Sequence, residues 1–240
     1  MPTPWATRGL SLRGRREFRW LDGHVSIVDL NHPLFSHRVV PLVSVSDPAT
    51  VDAIGAGLVA GGLPVAEVAL RGEHGLPALT ELAARGDILV GAGTVLTTAQ
   101  ARDALDAGAS FVVTPGLDAD VVRYVTDAGT PIVPGVITAT EIQAAMALGL
   151  RRLKLFPAGV FGGLALIDAY ASVFRDVQFM PSGGVSAGNL GDFLAHTGVF
   201  AASGSWITAV AADGTAAVAE RAAAAVAVAR GSGTTGGVRA

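Results

Sequence analysis

The chain has 240 residues, no cysteine, a formal net charge of −3 and a hydrophobic fraction of 50%. That length and apolar content suffice for one or two domains with a full core. The charge balance offers no basic excess for nucleic acid, and the lack of cysteine excludes disulfides, thiolate nucleophiles and Cys-ligated metal sites. No apolar run approaches the ~20 residues of a membrane span and no signal-peptide core is recognisable, so no membrane partner and a cytoplasmic location are expected.

In chain order, the first segment opens "MPTPWATRGLSLRGRREFRW", rich in arginine and poor in acids. It reads as a loosely ordered extension over residues 1–38 rather than a targeting peptide or anion-binding arm. Between Arg38 and Ala211 a unit then recurs: a short β-type run, a turn of small residues and a helix-forming segment. The runs are "VVPLVSV", "VAEVAL", "ILVGAGT", "FVVTPG", "PIVPG", "RLKLFPA", "QFMPSGG" and "VFAASGS". Segments such as "DPATVDAIGAGLVAGG" and "TTAQARDALDAGA" carry apolar residues at helical spacing, begin with Asp or Thr caps and end near Gly. A last alanine-rich helix, "TAAVAERAAAAVAVAR", precedes a Gly/Ser/Thr tail over residues 231–240 that reads as flexible. Near-continuous hydrophobic strands alternating with helices call for a parallel sheet covered by helices, and eight of them close a barrel. An open doubly wound sheet competes, but its G-x-G-x-x-G fingerprint after the first strand is missing. The expectation is therefore an α/β, single-domain (β/α)8 TIM barrel over residues 39–230.

That fold puts chemistry at the C-terminal ends of the strands, with phosphate sites often formed after the seventh and eighth. Polar or special residues there are Glu67 and Arg71 after the second run, Thr94 after the third and Pro115 after the fourth. Lys154 and Phe156 belong to the sixth, Ser182, Gly183 and Gly184 to the seventh, and Ser203, Gly204 and Ser205 to the eighth. Lys154 stands out, between two leucines in a run that should be dry. A strand lysine ordinarily packs its stem and lets its head snorkel or pair with a carboxylate; inside a barrel the only outlet is the active-site mouth. A free lysine amine is almost wholly protonated at neutral pH, but desolvation or a neighbouring cation such as Arg71 makes it a nucleophile. With a ketone it would form a Schiff base, an electron sink for carbon–carbon cleavage.

Glu67 is either a structural partner for Lys154 or Arg71, or the group that shuttles protons beside an imine. The two-residue strand period puts it on one face with Arg71, whose fork would bind a carboxylate. The "PSGG" and "SGS" turns are tight corners or, by their position, a phosphate cradle of backbone N–H groups with the Ser205 hydroxyl. The five histidines form no ligand pair with an acid, so no metal is expected.

The residues from Val39 to Thr208 resemble the 2-keto-3-deoxy-6-phosphogluconate (KDPG) aldolases, whose activities include 4-hydroxy-2-oxoglutarate (KHG) cleavage. The resemblance rests on an ordered set: "EVALR", "VGAGTV", "TPGL", "PIVPGV", "KLFPA", "PSGGV" and "GSWI". It implies a (β/α)8 barrel, a homotrimer and a class I aldolase that uses neither metal nor cofactor on a small 2-keto acid or phosphosugar. By that resemblance Lys154 is the Schiff-base lysine and Glu67 the general acid/base. Arg71, Thr94 and Pro115 line a pyruvate pocket, Phe156 packs beside it, and Gly183, Gly184 and Ser205 hold the phosphate. The implied reaction splits KDPG reversibly into pyruvate and D-glyceraldehyde 3-phosphate. Alternatives are the galactonate epimer or KHG as substrate, or a non-catalytic phosphosugar-binding barrel, which would be expected to have lost Lys154 or Glu67. Ser44 and Ser46 replace a basic residue of many relatives, and Gly159 and Phe161 replace Glu and a small residue. These departures fall near the distal part of the substrate. The first 38 residues have no matched counterpart.

Overall fold

A computed structural model of the chain describes residues 31–232. Most of the expected extension, residues 1–30, and the tail from 233 onward lie outside the described residues. Each of the eight runs contributes strand residues: β1 (Val39–Val43), β2 (Val65–Ala69), β3 (Leu89–Gly93), β4 (Val112–Val113), β5 (Ile132–Val133), β6 (Gly135–Val136), β7 (Arg152–Leu155), β8 (Gln178–Pro181) and β9 (Ala202–Gly204). The fifth run supplies two strands because Pro134 interrupts it. Proline has no N–H to continue the ladder, although its carbonyl still accepts from the Lys154 amide at 2.8 Å.

Between the strands lie α1 (Val51–Ala60), α2 (Gly75–Ala84), α3 (Thr98–Asp106), α4 (Ala119–Asp127), α5 (Ala139–Ala147), α6 (Leu164–Val173), α7 (Leu190–Ala195) and α8 (Thr215–Gly231). Short polar caps start several of them directly after a strand. Thr97 Oγ1 accepts from the Gln100 amide, and the Asp118 carboxylate accepts from the amides of Asp120 and Val121. Thr138 and Glu141 form a reciprocal capping box at the start of α5. These caps satisfy orphan helix N–H groups and keep the strand-to-helix turns short.

All strand pairing is parallel and falls into two sheets. Six strands run in the order β5-β4-β3-β2-β1-β9, and three in the order β6-β7-β8. Isolated parallel bridges, Phe179 with Val199 and Ser182 with Ser203, lie between the β8 and β9 ends. β2 is buried at every position, as a strand with covered faces requires. Register then sets the level of the polar residues: Leu42 pairs with Glu67 and Glu67 with Gly91, while Gly135 pairs with Lys154 and Lys154 with Met180.

The packed unit begins N-terminal to the Val39 boundary expected from sequence. Leu34 is buried, Phe35 packs edge-on against Phe200 with centroids 5.9 Å apart, and Arg38 donates to the carbonyls of Val199 and Leu194. At another seam, α1 meets α8 through two glycines, Gly57 and, at the C-terminal end of α1, Gly61. A Cβ on Gly57 would lie 2.5 Å from Val218 Cβ and 2.8 Å from the Thr215 carbonyl oxygen, and one on Gly61 would lie 2.5 Å from Ala222 Cβ.

That seam yields a stability prediction. Alanine gains about 1 kcal/mol over glycine in a helix interior, whereas overpacking costs about 1–3 kcal/mol. A backbone oxygen cannot swing aside as a side chain can, so the steric cost wins. Gly57→Ala is expected to lower Tm by several degrees with an unchanged far-UV circular dichroism spectrum. Thermal melting checks this, and a Tm at or above the parent value would show that the seam has slack.

Candidate active site

Two strands from different sheets bring the one buried lysine among the described residues against a buried glutamate. Lys154 on β7 is 4% exposed and Glu67 on β2 is 0% exposed. Nζ donates to Glu67 Oε1 at 3.0 Å. The second carboxylate oxygen, Oε2, accepts from Ser203 Oγ on β9 at 3.1 Å. Three otherwise costly buried polar groups thus satisfy one another. Space for the carboxylate comes from β3, where a Cβ on Gly93 would stand 2.6 Å from Glu67 Oε1.

Lys154 Nζ also lies 5.3 Å from the centroid of the Phe156 ring. The nearest charge to the lysine is therefore an anion, rather than the guanidinium of Arg71 considered from sequence.

Lys154 forms part of the wall of a cavity of about 250 Å³ at the strand ends. Arg71, Thr94, Pro115, Phe156, Gly183, Gly184 and Ser205 all line it, as do Leu42, Ser182 and Val185. Seven residues collected from six runs of the sequence thus meet around one space. Glu67 does not reach the wall; it lies behind Lys154, so the expectation that Glu67 and Arg71 both face the cavity holds only for Arg71. The reason is length: Glu67 is mid-strand, whereas Arg71 lies past the strand end in a turn closed by its own amide to the Ala69 carbonyl at 2.8 Å.

At the mouth, Arg71 Nε donates to Thr94 Oγ1 at 3.3 Å. Thr94 has φ +59°, the only positive value at a non-glycine among the described residues. A β-branched residue held there is strained, and it marks where the chain leaves β3 and presents its hydroxyl to Arg71.

On the opposite side, the turns after β7 and β8 are hydrogen-bonded together. The Ala158 amide donates to the Ser182 carbonyl at 2.9 Å, and the Gly159 amide to the Gly183 carbonyl at 2.7 Å. Gly184 has φ +99°, and a Cβ on it would lie 2.9 Å from Gly159 Cα. Glycine is needed at position 184, and a Cβ on Gly159 would crowd the Gly183 carbonyl oxygen and Gly184 Cα at 3.2 Å. Ser205 is exposed, and its carbonyl accepts from the amides of Thr208 and Ala209, opening the helical turn that follows. Ser44, Ser46 and Phe161 are exposed and stand outside the cavity lining.

A larger cavity, about 610 Å³, lies between the Ser186–Gly188 turn and α8. Its walls are mostly alanine, leucine, valine and Trp206, and Arg221 donates to the Trp206 carbonyl. No lysine or carboxylate lines it, whereas Lys154, with Glu67 behind it, lines the smaller cavity. No cluster of three or more His, Cys, Asp or Glu that could hold a metal occurs among the described residues, and none of their helices is long and apolar enough to cross a membrane.

Ser203 was collected from sequence as a polar strand-end residue without a role of its own. Only register between strands distant in the chain reveals that it touches Glu67; the local pattern "AASGS" carries no such signal.

Comparison with known proteins points to a single family. A family model for KDPG and KHG aldolase matches residues 31–220. The 2-dehydro-3-deoxy-phosphogluconate aldolase of Pseudomonas aeruginosa is 43% identical over 171 residues, covering 71% of this chain and 78% of that one. Among solved structures, the Zymomonas mobilis KDPG aldolase with 3-phosphoglycerate superposes with a TM-score of 0.77 at 34% identity, over 85% of this chain and 94% of that one. The Legionella pneumophila KDPG aldolase, with pyruvate captured as a covalent carbinolamine intermediate, gives a TM-score of 0.76 at 29% identity, over 84% of this chain and 96% of that one. With a lysine on the wall of a small strand-end cavity and a buried glutamate behind it, the chain belongs to the KDPG and KHG aldolase family.

Proposed function

We propose that the protein is a class I aldolase that cleaves KDPG reversibly to pyruvate and D-glyceraldehyde 3-phosphate, with Lys154 as the imine-forming amine and Glu67 as its acid–base partner. The observation that carries this reading is the buried contact of Lys154 Nζ with Glu67 Oε1 at 3.0 Å, on the wall of a cavity otherwise lined by neutral groups and Arg71. Glu67 takes a proton from the Lys154 ammonium, and the free amine adds to the C2 ketone. The carbinolamine oxygen leaves as water, and a protonated imine remains. Glu67, having given its proton to the departing water, takes the C4 hydroxyl proton; the C3–C4 bond breaks, its electrons pass into the iminium, and glyceraldehyde 3-phosphate departs. Glu67 returns a proton to C3 of the enamine, and water hydrolyses the pyruvate imine to restore the lysine. C3 is two bonds from Nζ, so an oxygen held beside Nζ is also placed beside C3. Where the carboxylate does not reach directly, a water carries the proton.

Arg71 and Thr94 at one end of the cavity suit the substrate carboxylate, with Pro115 and Phe156 as apolar walls beside the pyruvate carbons. Gly183, Gly184 and Ser205 at the other end suit the phosphate, which glycine-rich turns approach through backbone N–H groups. The reading extends to a single closed (β/α)8 barrel over residues 39–230. The bridges between β8 and β9 support closure on one side, and the shared Pro134 between β5 and β6 supports it on the other. The family resemblance further supports a homotrimer acting in the cytoplasm.

Three outcomes test this reading. Borohydride with pyruvate is expected to inactivate the enzyme and add the mass of reduced pyruvate to the peptide containing Lys154, read by mass spectrometry, with activity indifferent to chelators. Label on another residue, or none in an active preparation, would remove Lys154 from its role. Glu67→Gln is expected to lower kcat by about 10²–10⁴-fold, the range for general acid–base catalysis, with a much smaller change in KM. Affinity collapsing at parental turnover would make Glu67 a binding residue instead. Ser205→Ala is expected to lower kcat/KM for KDPG by about 10- to 150-fold, the worth of a hydrogen bond to a charged group. Cleavage of unphosphorylated KHG by the same variant should barely change, and equal losses on both substrates would overturn the phosphate site.

A further inference from the structure

Ser203 makes the remaining side-chain contact to the Glu67 carboxylate. It is fully buried, and its Oγ donates to Oε2 at 3.1 Å while Lys154 holds Oε1 at 3.0 Å. Its backbone is fixed on both sides, paired with Val40 on β1 and bridged to Ser182 after β8. The hydroxyl is thus presented from a rigid element. The third side of the carboxylate is closed by Gly93, where there is no room for a Cβ.

We propose that Ser203 is a positioning residue that restricts proton exchange by Glu67 to Oε1. The inference rests on the aldolase reading above. Its chemical core is the difference between the two anchors of the carboxylate. Lys154 grips Oε1 as an ammonium, but once Nζ enters the imine it has at most one proton left. The grip therefore loosens at the step where Glu67 must act on C3.

The Ser203 bond is kept. A hydroxyl donates to a carboxylate oxygen and, more weakly, to the carbonyl oxygen of the neutral acid. Oε2 therefore stays an acceptor through the cycle, and the mobile proton resides on Oε1, the oxygen beside Nζ and C3. A cation in this position would hold the carboxylate anionic and oppose its protonation. An alkyl side chain would leave Oε2 buried without a donor and let the carboxylate rotate about its last torsion.

The test compares Ser203→Ala, Ser203→Cys (similar volume, weak donor) and Ser203→Thr (donor kept). Each is followed through pyruvate methyl exchange in D2O by NMR, kcat and KM for KDPG, borohydride trapping at saturating pyruvate, and Tm. For the alanine and cysteine variants, methyl exchange and kcat are expected to fall about 10- to 100-fold, with KM within a few-fold of parental and the equilibrium extent of trapping retained. Threonine should recover most of the loss. If the threonine variant melts early, the alanine and cysteine pair still decides. Parental exchange in Ser203→Ala would overturn the proposal. So would a loss of exchange matched by an equal loss of trapping, or recovery by cysteine, which would make the site a matter of volume. If the wild-type chain neither traps nor exchanges pyruvate, it is the aldolase reading that fails, and that outcome is distinct from any difference among the variants.

Discussion

A lysine and a glutamate taken almost wholly out of water depend on each other. Either charge buried alone would cost several kcal/mol, and their attraction repays that only with good geometry and further hydrogen bonds on the remaining oxygens. Here the contact is 3.0 Å and the spare oxygen is taken by Ser203. Such a pair is a poor way to gain stability, since well-packed apolar residues often do as well. Its presence on strands of two sheets fits the proposed chemistry. In that reaction the pair holds a base within one hydrogen bond of the amine that must lose its proton before it reacts.

The surrounding chain is arranged around that constraint. Register puts Glu67 beside Gly91 on β3, and Gly93 two residues further on makes room for the carboxylate. Gly91 in turn accepts the ring of Phe111, since a Cβ there would lie 2.3 Å from it. The helices outside can therefore be ordinary, with Thr97, Asp118 and Thr138 caps keeping each strand-to-helix turn short. Polarity also divides along the cavity. Arg71 and Lys154 are the cations in its lining, and the turns at the far side are glycine and serine. An anionic group at that end would be met by neutral donors, which discriminate by shape and hydrogen bonding more than by charge.

Much of this was legible in the chain. Valine-rich runs ending in small residues, each followed by a capped helical segment, are local patterns, and every run contributed strand residues. The cavity residues were legible for a related reason: in such folds strand ends gather on one face, so Arg71, Thr94, Pro115, Phe156, Gly183, Gly184 and Ser205 could be collected by position. Lys154 announced itself by contrast, a charge in an otherwise dry run. Less legible were the details that depend on neighbours. Proline at position 134 divides a run that reads as one strand. Leu34 and Phe35 join the core from a segment whose composition suggested only an extension.

By itself, then, the sequence determined the alternation of strands and helices, the residues available at the strand ends and the presence of one out-of-place lysine, because each is written in periodicity and local composition. Tertiary structure decided which of those residues touch. Glu67 lies behind Lys154 rather than beside Arg71, Ser203 closes the carboxylate from a strand 136 positions away, and Gly159 meets Gly184 across two turns. These contacts are set by inter-strand register and by the close approach of backbones far apart in the chain, and neither leaves a trace in any local window of residues.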